Sequence, residues 1–118
     1  MTDFILADTN VIIYAVKKKI WLDEAVLSIN GIYEVRIPDC VIKELYGLSK
    51  DNSDARAALA YALRKKTVRG EGRGDDCILD AAIRSGSAIL TNDRKFIEII
   101  KKRGIRAAVL RGKTVLLL

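Results

Sequence analysis

Short, wholly apolar runs alternate along this chain with longer segments of helical period, and few architectures accommodate that alternation. Phe4-Ile5-Leu6-Ala7 is closed by Asp8, and Ala88-Ile89-Leu90-Thr91 by Asn92-Asp93. Runs this short, bounded by polar residues, read as strands covered on both faces. Tyr33–Ile37 reads as a further strand, and 105–110 and 114–118 as the last two. Between them the sequence predicts helices. One runs from the Asp8-Thr9-Asn10 cap to Lys17–Lys19, although Val11-Ile12-Ile13 is β-branched and also suits a strand. Others cover 20–29, 38–48 opened by Pro38, 51–66, 75–85 stopped by Gly86, and the stretch capped by Asn92-Asp93 that ends near Arg103. Strands and helices in alternation, joined by short loops, predict an α/β fold with a mainly parallel central sheet covered by helices on both sides.

Composition narrows the chemistry. The 118 residues, half of them hydrophobic, suit one domain spanning 1–118. No apolar run approaches the roughly 18 residues of a membrane span. The opening Met-Thr-Asp-Phe carries no basic stretch ahead of an apolar one, so a cytoplasmic location and no membrane partner are expected. There is no histidine, which excludes Ser-His-Asp and Cys-His catalysis. The two cysteines, Cys40 and Cys77, are expected to be buried free thiols in a reducing compartment. Chemistry therefore falls to carboxylates, hydroxyls, amines or a bound cofactor. Lys and Arg exceed Asp and Glu by 21 to 15, and the net charge of +6 suits a polyanionic partner, nucleic acid first.

Two acids occupy equivalent places. Asp8 and Asp93 each follow a predicted central strand, at the sheet edge where open α/β folds bind ligands. Either residue is also explained as a helix cap. Glu44 lies on the edge of the apolar face formed by Val41, Leu45 and Leu48. Asp75, in the first turn of its helix, shares the face of Ile78, Leu79, Ala82 and Ile83, whereas Asp76 is rotated about 90° away. Asp75 is the better candidate, and Asp76 stays open as its neighbour. Carboxylates converging on one edge repel, and stay ionised together only around a cation. All-oxygen ligation suits Mg²⁺ or Mn²⁺, ions that support phosphodiester hydrolysis.

The motifs are Asp-Thr-Asn after the first strand, then Ile-Pro-Asp-Cys-Val-Ile-Lys-Glu-Leu, Gly-Asp-Asp-Cys-Ile-Leu-Asp-Ala-Ala and Leu-Thr-Asn-Asp-Arg-Lys-Phe. In this order they resemble the PIN-domain nuclease family from end to end. The Gly-Asp-Asp-Cys-Ile stretch and the tail of residues 103–113 are most similar to the archaeal branch related to eukaryotic PIN endonucleases of small-subunit rRNA processing. VapC toxins are more distant. The resemblance implies a three-layer α/β/α sandwich and a Mg²⁺- or Mn²⁺-dependent endoribonuclease leaving 5′-phosphate and 3′-hydroxyl ends. It implies metal-site roles for Asp8, Glu44, Asp75 and Asp93, with Asp76 able to share the third. Thr9, Asn92 and, more weakly, Asn10 are polar candidates behind those acids.

RNA is the implied partner. By branch, an antitoxin or a ribosome-assembly partner follows, and the amphipathic helices between residues 9 and 66 leave surface for a homodimer. Arg69, Arg73, Arg94 and Lys95 are candidates for holding RNA phosphates, each also explained as solvated surface. Tyr14 and Trp21 are candidates for base stacking, although core packing is the simpler expectation. The rival readings are a VapC-type toxin, a non-catalytic RNA-binding scaffold, and a small-molecule phosphatase. Asn10 argues against the last, because it stands where such enzymes carry a second aspartate, and Gly70–Gly74 lacks the spacing of a phosphate-binding loop.

Overall fold

The computed structural model describes residues 2–118. In chain order the elements are β1 (Phe4–Ala7), α1 (Thr9–Lys17), α2 (Leu22–Ala25), a 3₁₀ turn (Val26–Ser28), β2 (Glu34–Pro38), α3 (Asp39–Leu48), α4 (Ser53–Leu63), β3 (Thr67–Val68), α5 (Asp75–Ser85), β4 (Ala88–Leu90), α6 (Arg94–Lys102), β5 (Ala107–Arg111) and β6 (Thr114–Leu117). The strands form one sheet in the order β3-β2-β1-β4-β5-β6. All neighbours are parallel except β5 and β6, which form a hairpin. The fold is the expected three-layer α/β/α sandwich.

The order has a physical consequence. From β1 the chain moves outward to β2 and β3, then returns to place β4 on the other side of β1. The crossovers leaving β1 and β4 therefore part in opposite directions and open a crevice beyond the carboxyl ends of these two strands. The register locks that edge: Leu6 pairs with Ile89 and Ala7 with Leu90, and the Asp8 amide donates to the Leu90 carbonyl at 3.0 Å. Every residue of β1 and β4 is buried, which is why both read as unbroken apolar runs.

Several expectations are refined. The helix expected over 20–29 is a short α-helix followed by a 3₁₀ turn. Ser28 explains the change, because its hydroxyl donates to the Val115 carbonyl at 2.6 Å and accepts from the Val115 amide at 3.0 Å. This contact covers the outer edge of β6, where exposed strand groups would otherwise invite pairing. The two-residue strand β3 was not foreseen, since Thr67-Val68 follows the cationic end of α4 without a break in pattern. It is held by pairing with Ile37 and Pro38. Leu48 and Ile83, expected on buried faces, are exposed. So are Tyr14 (41%) and Trp21 (73%), which corrects their expected place in the core. Trp21 instead borders an apolar groove with Ile12, Val16 and Tyr61.

The cysteines bring a larger correction. Cys40 and Cys77 are joined in a disulfide between the first turns of α3 and α5, with Cα atoms 6.4 Å apart. Separation in sequence hid the pairing, which depends on where the crossovers set the two helices down. No helix among the described residues is long and apolar enough to cross a membrane.

Candidate active site

The crevice beyond β1 and β4 is a polar cleft of about 170 Å³ lined by Asp8, Thr9, Asn10, Cys40, Val41, Glu44, Gly74, Asp75, Ile78 and Asp93. The four acids expected to meet do meet. They come from the end of β1, the middle of α3, the start of α5 and the cap of α6. No lysine or arginine lines the space, although cations exceed acids over the whole chain.

Each acid is placed by a local device. Asp8 occupies the N-cap position of α1, yet its side chain makes no capping bond. It is instead the acceptor of a 2.8 Å bond from the Thr91 hydroxyl to Oδ2. Glu44 stands between Val41 and Leu45, whose burial orients α3. Asp75 opens α5 directly after Gly74, whose φ of 56° turns the chain into the helix. Asp93 caps α6, its Oδ1 accepting from the amides of Lys95 and Phe96 at 3.0 and 3.3 Å. The capping explanation for Asp93 is thus correct, and it coexists with the cleft position.

The electrostatics follow from this crowding. Asp8 is 7% exposed, and burial pushes its carboxyl above the usual carboxylate range. The Thr91 hydroxyl and the Thr9 amide oppose the rise, while the charges of Asp75 and Glu44 add to it. Asp75 is raised too, first by desolvation and then by Asp93, Glu44 and Asp76. Both shifts arise first from desolvation, with like charge adding to it and no cationic side chain lining the cleft to offset it. No three of these acids bring carboxylate oxygens within 4.8 Å of one another among the described residues, so they are spread around the space and not gathered at one point. This donor set fits a hard divalent ion, which takes oxygen ligands and keeps several waters between itself and some of them.

The remaining candidates divide. Thr9 is buried and Asn10 exposed, and both line the cleft. Asp76 is exposed and does not line it. Asn92 turns away: its side chain accepts from the Leu110 amide at 2.8 Å and donates to the Leu110 carbonyl at 3.1 Å, clamping the β4–α6 loop to β5. Arg69, Arg73, Arg94 and Lys95 are exposed on segments flanking the cleft, and none lines it. Arg69 pairs with Glu71 at 3.1 Å.

Two contributors were missed. Thr91 is wholly buried. Besides holding Asp8, its hydroxyl accepts from the Asp93 amide at 3.2 Å, so one side chain joins both strand-end acids. In sequence it passes for the last β-branched residue of a strand. The only available signal was a hydroxyl closing an otherwise apolar run. Asp39 accepts from the Gly70 amide at 3.1 Å and so ties α3 to the loop before α5.

A sheet that reverses its order beside β1, with acids ringing the crevice, defines the class: an α/β domain of the PIN nuclease type. The chain belongs to the PIN like domain family, whose model matches residues 5–113. Among solved structures it is similar to the PIN domain endonuclease Utp24, at 26% identity and a TM-score of 0.80, over 97% of this chain and 90% of that one. It shares its fold with a domain of a functionally unknown protein from Methanocaldococcus jannaschii, at 18% identity and a TM-score of 0.63, over 94% and 93% of the two chains. It also shares its fold with VapBC2 from Rickettsia felis bound to a promoter DNA fragment, at 17% identity and a TM-score of 0.61, over 92% and 99%. No curated protein sequence matches the chain.

Proposed function

We propose that the protein is a Mg²⁺- or Mn²⁺-dependent endoribonuclease of the cytoplasm, with Asp8, Glu44, Asp75 and Asp93 holding the ion. One observation carries the reading: four carboxylates from four separate segments share a cleft that no cationic side chain enters, within a protein of net charge +6. Such a site is poorly neutralised without a bound cation. A divalent ion held there supplies charge stabilisation for a phosphoryl group and lowers the pKa of a bound water.

The chain's own groups do the remaining work. Thr91 fixes the Asp8 carboxylate by its 2.8 Å bond, so this ligand is oriented before substrate arrives. Asp93 is held through its own amide and by its capping bonds. The carboxylates position the ion and the attacking water, and one of them accepts the water's proton. Exposed Arg73, Arg94 and Lys95 beside the cleft suit the RNA phosphates on either side of the scissile bond. The similarity to the endonuclease Utp24, closer in identity and in superposition than that to VapBC2, supports an endonuclease, and the resemblance of the Gly-Asp-Asp-Cys-Ile stretch to the rRNA-processing branch favours an RNA-processing role, with a ribosome-assembly partner, over a toxin role with an antitoxin.

The test is RNA cleavage with added Mn²⁺ by the wild type and by Asp8→Asn. The variant is expected to lose at least about a hundredfold in rate. Equal rates in the two proteins would overturn the assigned site. Tight RNA binding with no cleavage by the wild type would point to a scaffold.

A further inference from the structure

The disulfide does not lie in the remote core. Cys40 lines the acid cleft and stands one helical turn before Glu44 on α3, and Cys77 stands two residues after Asp75 on α5. The bond therefore joins the two helices that contribute the cleft's non-strand acids, at the level of the cleft itself. We propose that the Cys40–Cys77 pair is a thiol–disulfide latch on the metal site: closed, it holds Glu44 and Asp75 together for tight divalent-ion binding; open, it lets the first turn of α5, with Asp75, draw away and weakens that binding. This inference rests on the nuclease reading above.

Two features, a pliant lead-in loop and like charge, leave the first turn of α5 dependent on the latch, while Ile78, Leu79, Ala81 and Ala82 anchor the rest of the helix in the core. The loop leading into it, Gly70-Glu71-Gly72-Arg73-Gly74, has glycine at every second place, with φ of 104° at Gly72 and 56° at Gly74. A segment of this composition transmits little restraint along the backbone. Across space, one hydrogen bond ties the same loop to α3, from the Gly70 amide to Asp39. Gly70 also lies directly on the bridge, where an added Cβ would come within 2.1 Å of the Cys77 carbonyl oxygen and 2.9 Å of its Sγ. Against these restraints stands a repulsion. Asp75 faces the charges of Asp93 and Glu44, so without a covalent tie or a bound cation the site tends to spread.

The pair is open to chemistry from one side. Cys77 is buried, whereas Cys40 is half-buried on the cleft wall. A thiolate of a dithiol reductant attacks Cys40 Sγ. The bond to Cys77 breaks, and Cys77 leaves as a thiolate that takes up a proton. The second thiol of the reductant then displaces Cys40 from the mixed disulfide. Two electrons and two protons pass to the protein, and the dithiol becomes a disulfide. Asp39 Oδ1, 3.7 Å from Cys77 Sγ, is placed to accept the S–H that results. Asp39, Cys40 and Cys77 could also be taken for metal ligands by proximity. Their sulfurs are bonded to each other, which favours a redox pair.

Isothermal titration with Mn²⁺ tests the latch on one preparation in three states: oxidised, reduced by dithiothreitol that is then removed under argon, and reoxidised. Circular dichroism and a thiol count accompany each state. The reduced protein is expected to bind Mn²⁺ at least fivefold more weakly and to recover on reoxidation. Cys40→Ala/Cys77→Ala is expected to match the reduced form under both conditions; should it fail to fold, the reversible wild-type series decides. Amide hydrogen exchange over residues 70–78 is expected to accelerate about tenfold on reduction. If the reduced protein, with two free thiols, binds Mn²⁺ as tightly as the oxidised, the latch is overturned and the metal site stands. If neither form binds Mn²⁺, the nuclease reading falls and the latch with it.

Discussion

Asp8 is asked to carry charge where burial and two neighbouring carboxylates oppose it, and its sign of linkage follows. Burial holds its folded pKa above the usual carboxylate range, so its contribution to stability is full below the unfolded value and is lost as pH rises through the folded one. At neutral pH without metal, Asp8 therefore works against the fold. Asp8→Asn keeps an oxygen for Thr91 and removes the charge. Metal-free Asp8→Asn is expected to be more stable than wild type by about 1 kcal/mol at pH 7, with the difference closing toward pH 4, in urea melts across that range. With saturating Mn²⁺ the order should reverse, because on the proposed site the wild type, with all four acids, gains more binding energy from the ion than the variant with three. Thr91→Val tests the other end of the same bond. It removes the donor to Asp8 and the acceptor of the Asp93 amide, so a loss of about 1–2 kcal/mol is expected. Weaker Mn²⁺ binding by calorimetry should accompany it, and Thr91→Ser should restore both. A Thr91→Val protein indistinguishable from wild type would remove Thr91 from the site.

At the scale of elements, α4, α5 and α6 begin or end on residues whose local chemistry is visible. Asn52 caps α4 by accepting from the Ala55 amide at 3.1 Å, and Gly86 closes α5 with a left-handed φ of 69°. The end of α1 is less well served. Lys19 takes φ 57°, while the Ile20 amide returns to the Ala15 carbonyl at 2.8 Å, a helix stop that glycine makes without steric cost. Lys19→Gly is expected to stabilise the protein by about 0.5–1 kcal/mol in denaturant unfolding, and a destabilised variant would refute the assignment of strain. Fragments of polar chemistry also reach between elements. The Ser28 hydroxyl edges β6, and the Asn92 amide clamps β5. Neither contact follows local periodicity, which is why the division of α2 and the turning away of Asn92 from the cleft went unforeseen.

For the whole molecule, charge is distributed against itself: a basic exterior surrounds an acidic cleft. If Arg73, Arg94 and Lys95 meet RNA phosphates, binding of a single-stranded RNA measured by fluorescence anisotropy should weaken with salt, with a log–log slope of about −2. Arg94→Ala should reduce that slope by about 0.7, and an unchanged slope would remove this residue from the interface. What the sequence determined alone is local. Apolar runs closed by Asp8 and Asp93, a helix opened by Asp75, and Glu44 at the edge of an apolar stripe were readable because burial and helical period act over a few residues. Tertiary structure decided what depends on the path of the chain. Strand order put β4 beside β1, so Asp8 and Asp93 face one crevice; the crossovers set α3 against α5, so two distant cysteines bond; and the register brought a buried hydroxyl, Thr91, between two acids. Contacts between distant residues arise from packing, and no short-range pattern in the chain encodes them.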